Sequence, residues 1–256
     1  MQSADAGRNL KKYIPRNEVR RIFAQVFDYQ TIMAIHKLAT RGHFDVLEFV
    51  VSTGKEAHVF RAVDRKGDFR AVKVYKIATS EFKHMGSYIR GDERFRKVKH
   101  EKRDIVYAWT KKEFKNLSRA YDAGVCVPKP LAFLENVLVM EFIGDKNGEA
   151  CRTAKEIGVL NAEKAYKKII EYIARLMYRA ELIHADISEY NMLVRGDEIV
   201  LIDIGQAVLL THPRAEEFFE RDVKNVVRYF SKLGVETSRE RVIEEIGAWK
   251  AKLKKG

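Results

Sequence analysis

The residues able to do chemistry concentrate between Ile183 and Gly205, in the run I-H-A-D-I-S-E-Y-N-M-L-V-R-G-D-E-I-V-L-I-D-I-G. His184-Ala185-Asp186 opens it, and Asn191 stands five positions after Asp186. An apolar run, Met192 to Val194, leads to the polar turn Arg195-Gly196-Asp197-Glu198, and a second, Ile199 to Ile202, delivers Asp203. Two short apolar runs around a glycine-containing turn predict a β-hairpin, which returns Asn191 and Asp203 to one end. A carboxylate and an amide oxygen converging there suit Mg²⁺, a hard cation that takes oxygen donors and completes its shell with phosphates and water. Asp186, on the loop before the hairpin, can face an incoming hydroxyl as its base or as an orienting acceptor. The pattern H-x-D-x-x-x-x-N followed by D-x-G thus points to metal-assisted phosphoryl transfer. A hairpin with ordinary loop acids is the plain alternative, and the four residues at these offsets weigh against it.

Elements upstream must position these groups. Val19, Ile22, Phe23, Val26 and Phe27 predict a helix over Arg16–Phe27, and Ile32, Ile35 and Leu38 a second over Gln30–Ala39. The period then changes to that of strands: Asp45–Val51, His58–Val63 and Phe69–Ile77 form an antiparallel meander. Between the first two lies Ser52-Thr53-Gly54-Lys55-Glu56-Ala57, a tight loop whose backbone N–H groups, with little side-chain bulk at Gly54, could face phosphates. It is no Walker motif, since Phe49 stands where the earlier glycine belongs and Glu56 replaces Ser/Thr. Lys73 interrupts the apolar strand Ala71-Val72-Lys73-Val74, a position that a purely structural role would not give a lysine.

Residues 80–99 show poor apolar periodicity, with Gly86, Gly91 and many charges, and read as a long mobile insertion. A helix follows from Lys102 to Ala120, closed by Asp122-Ala123-Gly124. Pro128–Glu135 and Val137–Ile143 complete five antiparallel strands, and Gly144-Asp145-Lys146-Asn147-Gly148 reads as a linker. Helices are predicted over Asn161–Ala180, from Pro213 through Phe230, and over Ser238–Lys255. In the second of these Asp222 sits among apolar positions, either reaching back to the Asp186 loop or lying on the surface.

The 256 residues carry 48 Lys+Arg against 36 Asp+Glu, a net charge of +12. Between Thr79 and Ala120, twelve Lys/Arg minus six Asp/Glu leave a local +6. More cations lie at Arg8, Lys11, Lys12, Arg16, Arg20 and Arg21, and at Lys250, Lys252, Lys254 and Lys255. Such an excess points to a polyanionic partner, nucleic acid above all; a solvated basic surface is the alternative. No apolar run reaches the length of a membrane span, and the first residues lack a signal-peptide core, so no membrane association is expected. Two cysteines, Cys126 and Cys151, fit neither a metal spacing nor a disulfide framework, as in a reducing cytoplasm.

The catalytic and metal loops resemble those of the protein-kinase-like fold. More narrowly, Ser52-Thr53-Gly54-Lys55-Glu56-Ala57-His58-Val59-Phe60, Ala71-Val72-Lys73-Val74-Tyr75, His184-Ala185-Asp186 to Asn191 and Ile202-Asp203-Ile204-Gly205 resemble the atypical RIO protein kinases, and among them the first, Rio-one, branch. The likeness runs from about Asp45 onward, and the stretch before it is too short for the winged helix of the second branch. It implies an α+β, two-lobed fold: an antiparallel five-stranded N-lobe at 44–144 and a mainly helical, truncated C-lobe at 145–256, preceded by a helical extension at 1–43. It also implies ATP with Mg²⁺ or Mn²⁺, serine-directed autophosphorylation with possible ATPase activity, and a role in maturation of the small ribosomal subunit. By the same resemblance Lys73 would hold the α/β-phosphates, paired by a helix glutamate, for which Glu113 is the first candidate and Glu101 the second. Ser52 and Lys55 would border the phosphates. The strand end at Glu141 and Ile143 would read adenine with its backbone. Asp186 and Asp203 are the expected catalytic residues, and Asn191 and Asp203 the metal ligands.

Departures from ordinary protein kinases are informative. Ala185 replaces the arginine that would anchor a phosphorylated activation loop, no A-P-E segment follows Asp203, and about fifty residues remain after Gly205. Ser188 stands where a phosphate-binding lysine is common, a charge that Lys55 could supply instead. These absences predict poor phosphorylation of peptides and a turnover that serves as a conformational switch. Two rivals remain: a small-molecule phosphotransferase of the aminoglycoside or choline kinase kind, and a non-catalytic RNA- or ribosome-binding scaffold. The first calls for a larger helical lower lobe; the second has no need of Lys73, Asp186, Asn191 and Asp203 together.

Overall fold

A computed structural model describes residues 27–78, 82–98 and 101–254. Residues 16–26 of the helix expected at Arg16–Phe27, the basic residues from Arg8 to Arg21, and Lys255 lie outside them. Two compact units divide the chain: within the described residues the first takes 27–78, 82–89, 95–98, 101–114 and 129–142, and the second 90–94, 115–128 and 143–254.

The first unit is a five-stranded antiparallel sheet of order β1-β2-β3-β5-β4. Its strands are β1 (Val46–Thr53), β2 (Ala57–Val63), β3 (Phe69–Tyr75), β4 (Pro130–Leu134) and β5 (Val137–Glu141). Alternation along the strands decides what each face carries. Phe60, Ala62, Val72, Val74, Val137 and Val139 form one buried cluster with Ala34, Ile35 and Leu38 of helix α1 (Tyr29–Thr40). Asp28 caps α1, its carboxylate accepting from the Thr31 N–H at 2.8 Å. Lys73, one residue out of phase with Val72 and Val74, is registered between Val59 and Leu138 on the two flanking strands. Asn136, in the β4–β5 turn, is fully buried and donates to the Tyr75 carbonyl at 2.8 Å and the Thr31 hydroxyl at 3.0 Å, joining α1 to the sheet.

Within the insertion expected to be long and mobile, residues 82–98 carry regular structure. Helix α2 (Phe82–Arg90) and a 3₁₀ turn (Glu93–Phe95) occupy it, with Met85, Tyr88, Ile89 and Phe95 buried. Tyr88 meets Trp109 of helix α3 (Lys102–Asp122) edge-on, ring centroids 5.9 Å apart. Three apolar residues at i, i+3 and i+4 suffice to seat the helix. Gly86 and the surrounding charges hid that short stripe in the sequence.

In the second unit, a short α4 (Ala154–Ile157) opens on a capping box between Thr153 and Glu156. Helix α5 (Ala162–Arg175) follows an Asn161 cap, and the helix expected to run on to Ala180 widens into a π turn over Leu176–Ala180. Then come β6 (Leu182–Ile183), the hairpin β7 (Met192–Arg195) and β8 (Glu198–Leu201), and β9 (Val208–Leu209), which pairs with β6. Helices α6 (Ala215–Lys232) and α7 (Arg239–Lys254) complete it. The core here gathers Tyr166, Ile169 and Ile173 of α5, Val226 and Phe230 of α6, and Val242 and Ile246 of α7. Among the described residues, no helix is long and apolar enough to cross a membrane. Both cysteines are free thiols, and burial with the nearby Glu198 raises Cys126 to about 11.

Candidate active site

In the first unit, the Lys73 ammonium donates to the Glu113 carboxylate at 2.9 Å. Glu113 is buried and Lys73 nearly so. Glu101, the second candidate, is exposed and makes no ion pair with Lys73. Burying two charges costs desolvation that their attraction rarely exceeds, so such a pair is weak as a stabilising device and better read as a way to fix a cation in place. Glu113 lies on α3 and Lys73 on β3, so the sheet and the helix together set the ammonium position.

The loop joining β1 and β2 is closed by the Gly54 N–H on the Ala57 carbonyl at 2.9 Å. Ser52 is the β1 partner of Val59, and both Ser52 and Lys55 are exposed. Lys76, which the sequence did not single out, ties the loop down: its ammonium donates to the Gly54 carbonyl at 2.8 Å and its N–H to the Glu56 carbonyl at 2.8 Å. Beside it His58 is buried and held down to about 4 by burial and by the Lys76 charge. At the end of β5, the Glu141 N–H donates to the Lys129 carbonyl at 2.8 Å. Ile143 falls in the second unit, where its carbonyl accepts from the Cys151 N–H at 3.0 Å.

The second unit carries the remaining groups. The Asn191 amide nitrogen donates to both the carbonyl and the carboxylate of Asp186, each at 2.9 Å. Its oxygen is thereby directed away from Asp186. Gln206, another residue the sequence reading missed, donates to the same Asp186 carboxylate at 3.3 Å. The Ile202 N–H on the Asn191 carbonyl at 3.0 Å closes the hairpin and sets Asp203 at the end where Asn191 lies.

Asp222 settles the choice left open for it. It is buried, and its two oxygens accept from the Ala185 N–H at 2.7 Å and the Ile187 N–H at 2.8 Å. Burial pushes its carboxyl up to about 7, against the pull of those two N–H groups. It thus holds the main chain on both sides of Asp186. Arg221 donates to the Ala185 carbonyl from the same helix. His184 is also buried and held down to about 4 by burial, against the opposing Asp203 charge, so it stays neutral.

Two non-glycine residues of the site adopt left-handed backbone: Ala185 at φ 67° and Asp203 at φ 61°. Such conformations cost on the order of 1–3 kcal/mol each and cluster where surrounding structure imposes them for function. For Asp203 the constraint comes from Asn116 on α3, unmarked in the sequence. Its amide donates to the Ile204 carbonyl at 3.0 Å and the Ala207 carbonyl at 2.8 Å, the two ends of the turn after Asp203. A polar residue on the stripe Trp109, Glu113, Asn116 and Ala120, all buried, was the available signal.

Among the described residues, no cluster of three or more His, Cys, Asp or Glu could hold a metal by itself. One carboxylate and one amide oxygen instead fit a cation that shares its shell with phosphates, as Mg²⁺ does.

The RIO domain model matches residues 58–243. The RIO-type serine/threonine-protein kinase Rio1 of Haloferax volcanii is 47% identical over 219 residues, 86% of this chain and 75% of that protein. Rio1 of Thermoplasma acidophilum is 43% identical over 73% of this chain and 98% of its own length. Among solved structures, the Rio2 kinase–ADP/Mg²⁺–phosphoaspartate complex from Chaetomium thermophilum superposes with a TM-score of 0.63 at 19% identity, covering 94% of this chain and 82% of that one. That likeness establishes the α+β kinase-like fold, and the sequence matches carry the rest: the chain belongs to the RIO family of serine/threonine-protein kinases.

Proposed function

We propose that this chain uses ATP with Mg²⁺ or Mn²⁺ to phosphorylate serine, its own included, and to hydrolyse ATP in the course of small-ribosomal-subunit maturation. The observation that carries the catalytic part is the Asp186–Asn191 contact at the end, opposite the turn, of the hairpin that delivers Asp203. Lys73, fixed by Glu113, holds phosphate oxygens as a point charge. Asn191 and Asp203 hold the cation, which when bound neutralises charge developing on the transferred phosphoryl group. Asp186 faces the attacking hydroxyl and takes or orients its proton, its own main chain fixed by Asp222. Ser52 and Lys55 border the phosphates, and Glu141 and Ile143 read adenine through main-chain groups. The lobes are taken as 44–144 and 145–256, after an extension at 1–43. That the Rio2 relative was solved with ADP and Mg²⁺ supports the cofactor assignment. The ribosomal role rests on the family resemblance, with which the +12 charge and a pre-ribosomal or ribosomal RNA partner agree.

Incubating the purified chain with γ-labelled ATP and Mg²⁺, alone and with small subunits or ribosomal RNA, should place label on serine of the chain and release labelled phosphate. Asp203→Ala should abolish both and weaken metal-dependent nucleotide binding. Label appearing on an added small molecule instead, or full turnover by Asp203→Ala, would overturn the reading.

A further inference from the structure

We infer that Asn116, tied to the Asp92–Arg94 pair, is a positioning residue that sets the backbone of the Asp203 turn and thereby the strength of divalent-cation binding. The inference rests on the proposed role of Asp203 as a metal ligand.

Its geometry is continuous within the second unit. The Arg94 guanidinium donates to both Asp92 oxygens, at 2.6–3.1 Å, and to the Asn116 side-chain oxygen at 3.0 Å. That bond orients the Asn116 amide, whose nitrogen is then left to the Ile204 and Ala207 carbonyls. Holding both carbonyls fixes the direction in which the chain leaves Asp203, at the residue whose backbone is left-handed.

Burial makes the arrangement costly without a purpose. The Asp92 side chain is fully buried, Asn116 is 0% exposed, and the Arg94 side chain is 14% exposed. An ion pair withdrawn from water contributes little net stability, and its best-attested use is to specify one arrangement over others. Packing beside the pair is close: a methyl group added at Gly91 would overlap the His212 ring. Residues that orient a metal ligand from behind typically change metal affinity 10- to 100-fold when altered.

Asn116→Asp keeps an acceptor for Arg94 and removes the N–H donor to both carbonyls; Arg94→Lys keeps the charge and loses the fork. Calorimetry with ADP in Mn²⁺, and with ADP in EDTA, separates metal-dependent from metal-free binding. For Asn116→Asp we expect metal-dependent affinity to fall roughly tenfold or more, with metal-free affinity unchanged. Amide exchange over 204–207, measured with neither nucleotide nor metal, should quicken. Arg94→Lys should move both readouts the same way by less, and serves alone if Asn116→Asp fails to fold. A folded variant with unaltered metal-dependent affinity and exchange overturns the inference, as does equal weakening with and without metal. Asp203→Ala, run alongside, tests the underlying role separately: if it leaves metal-dependent binding intact the ligand assignment fails, whereas quickened exchange in Asn116→Asp upholds the positioning contact.

Discussion

Asp186 is held by more groups than a base in water would need: Asn191 twice, Gln206 once, and Asp222 through the neighbouring main chain. None of these contacts depends on the Lys73–Glu113 pair, which stands on β3 and α3 in the first unit. If the proposed roles hold, proton transfer and phosphate binding fall to separate sets of side chains. Asp186→Ala should lower turnover by roughly 10²–10⁴-fold, the range for a positioned acid or base, and leave ATP affinity within a few-fold. Calorimetry with ATP on a folded variant checks this; loss of binding would show that Asp186 holds nucleotide, not the attacking hydroxyl. Lys73, Asp186, Asn191 and Asp203 were legible in the sequence because each departs from its local pattern: a cation in an apolar strand, or acids and an amide at fixed offsets around a hairpin. Gln206 and Lys76 were not, because they act on a side chain or on carbonyls and leave no spacing of their own; Asn116 left only its place on a buried helical stripe.

At the scale of elements, the sheet and the hairpin were readable from period-two alternation and turn residues, both local signals. Helix α2 was not, since its apolar stripe is only Met85, Tyr88 and Ile89, and Trp109, the ring that Tyr88 meets, lies 21 residues after it. The position of Asp222 left burial and surface exposure open, and could not name the Ala185 and Ile187 N–H groups, which a left-handed residue brings round to one carboxylate. The end of α2 is fixed by a similar non-local demand. Gly91 abuts the buried His212, so that any side chain there must displace the ring. Gly91→Ala should destabilise the chain by about 1–3 kcal/mol, the usual cost of overpacking, seen as a lower urea midpoint with unchanged slope. An unchanged midpoint would mean that His212 moves aside freely.

For the molecule as a whole, the +12 charge is the property that bears on partners, and the structure narrows which cations can serve. The charged stretch 80–99 holds Lys83, Arg90, Arg94, Arg96 and Lys97. Arg94 is withdrawn from that set by its bonds to Asp92 and Asn116, whereas Arg90, Arg96 and Lys97 are exposed. Each phosphate contact adds about 0.9 to the slope of log affinity against log salt on duplex, or about 0.7 on single strands. Replacing Arg90, Arg96 and Lys97 by Gln should therefore flatten the slope for ribosomal RNA by roughly 2 to 3 if all three contact phosphate. Adding Arg94→Gln should not flatten it further, because a guanidinium held by Asp92 has no charge to spare for a strand. Filter binding across a salt series decides the matter. Identical slopes for wild type and the three-fold variant would leave these cations as a solvated surface, and further flattening on loss of Arg94 would show that the Asp92 pair opens to admit RNA.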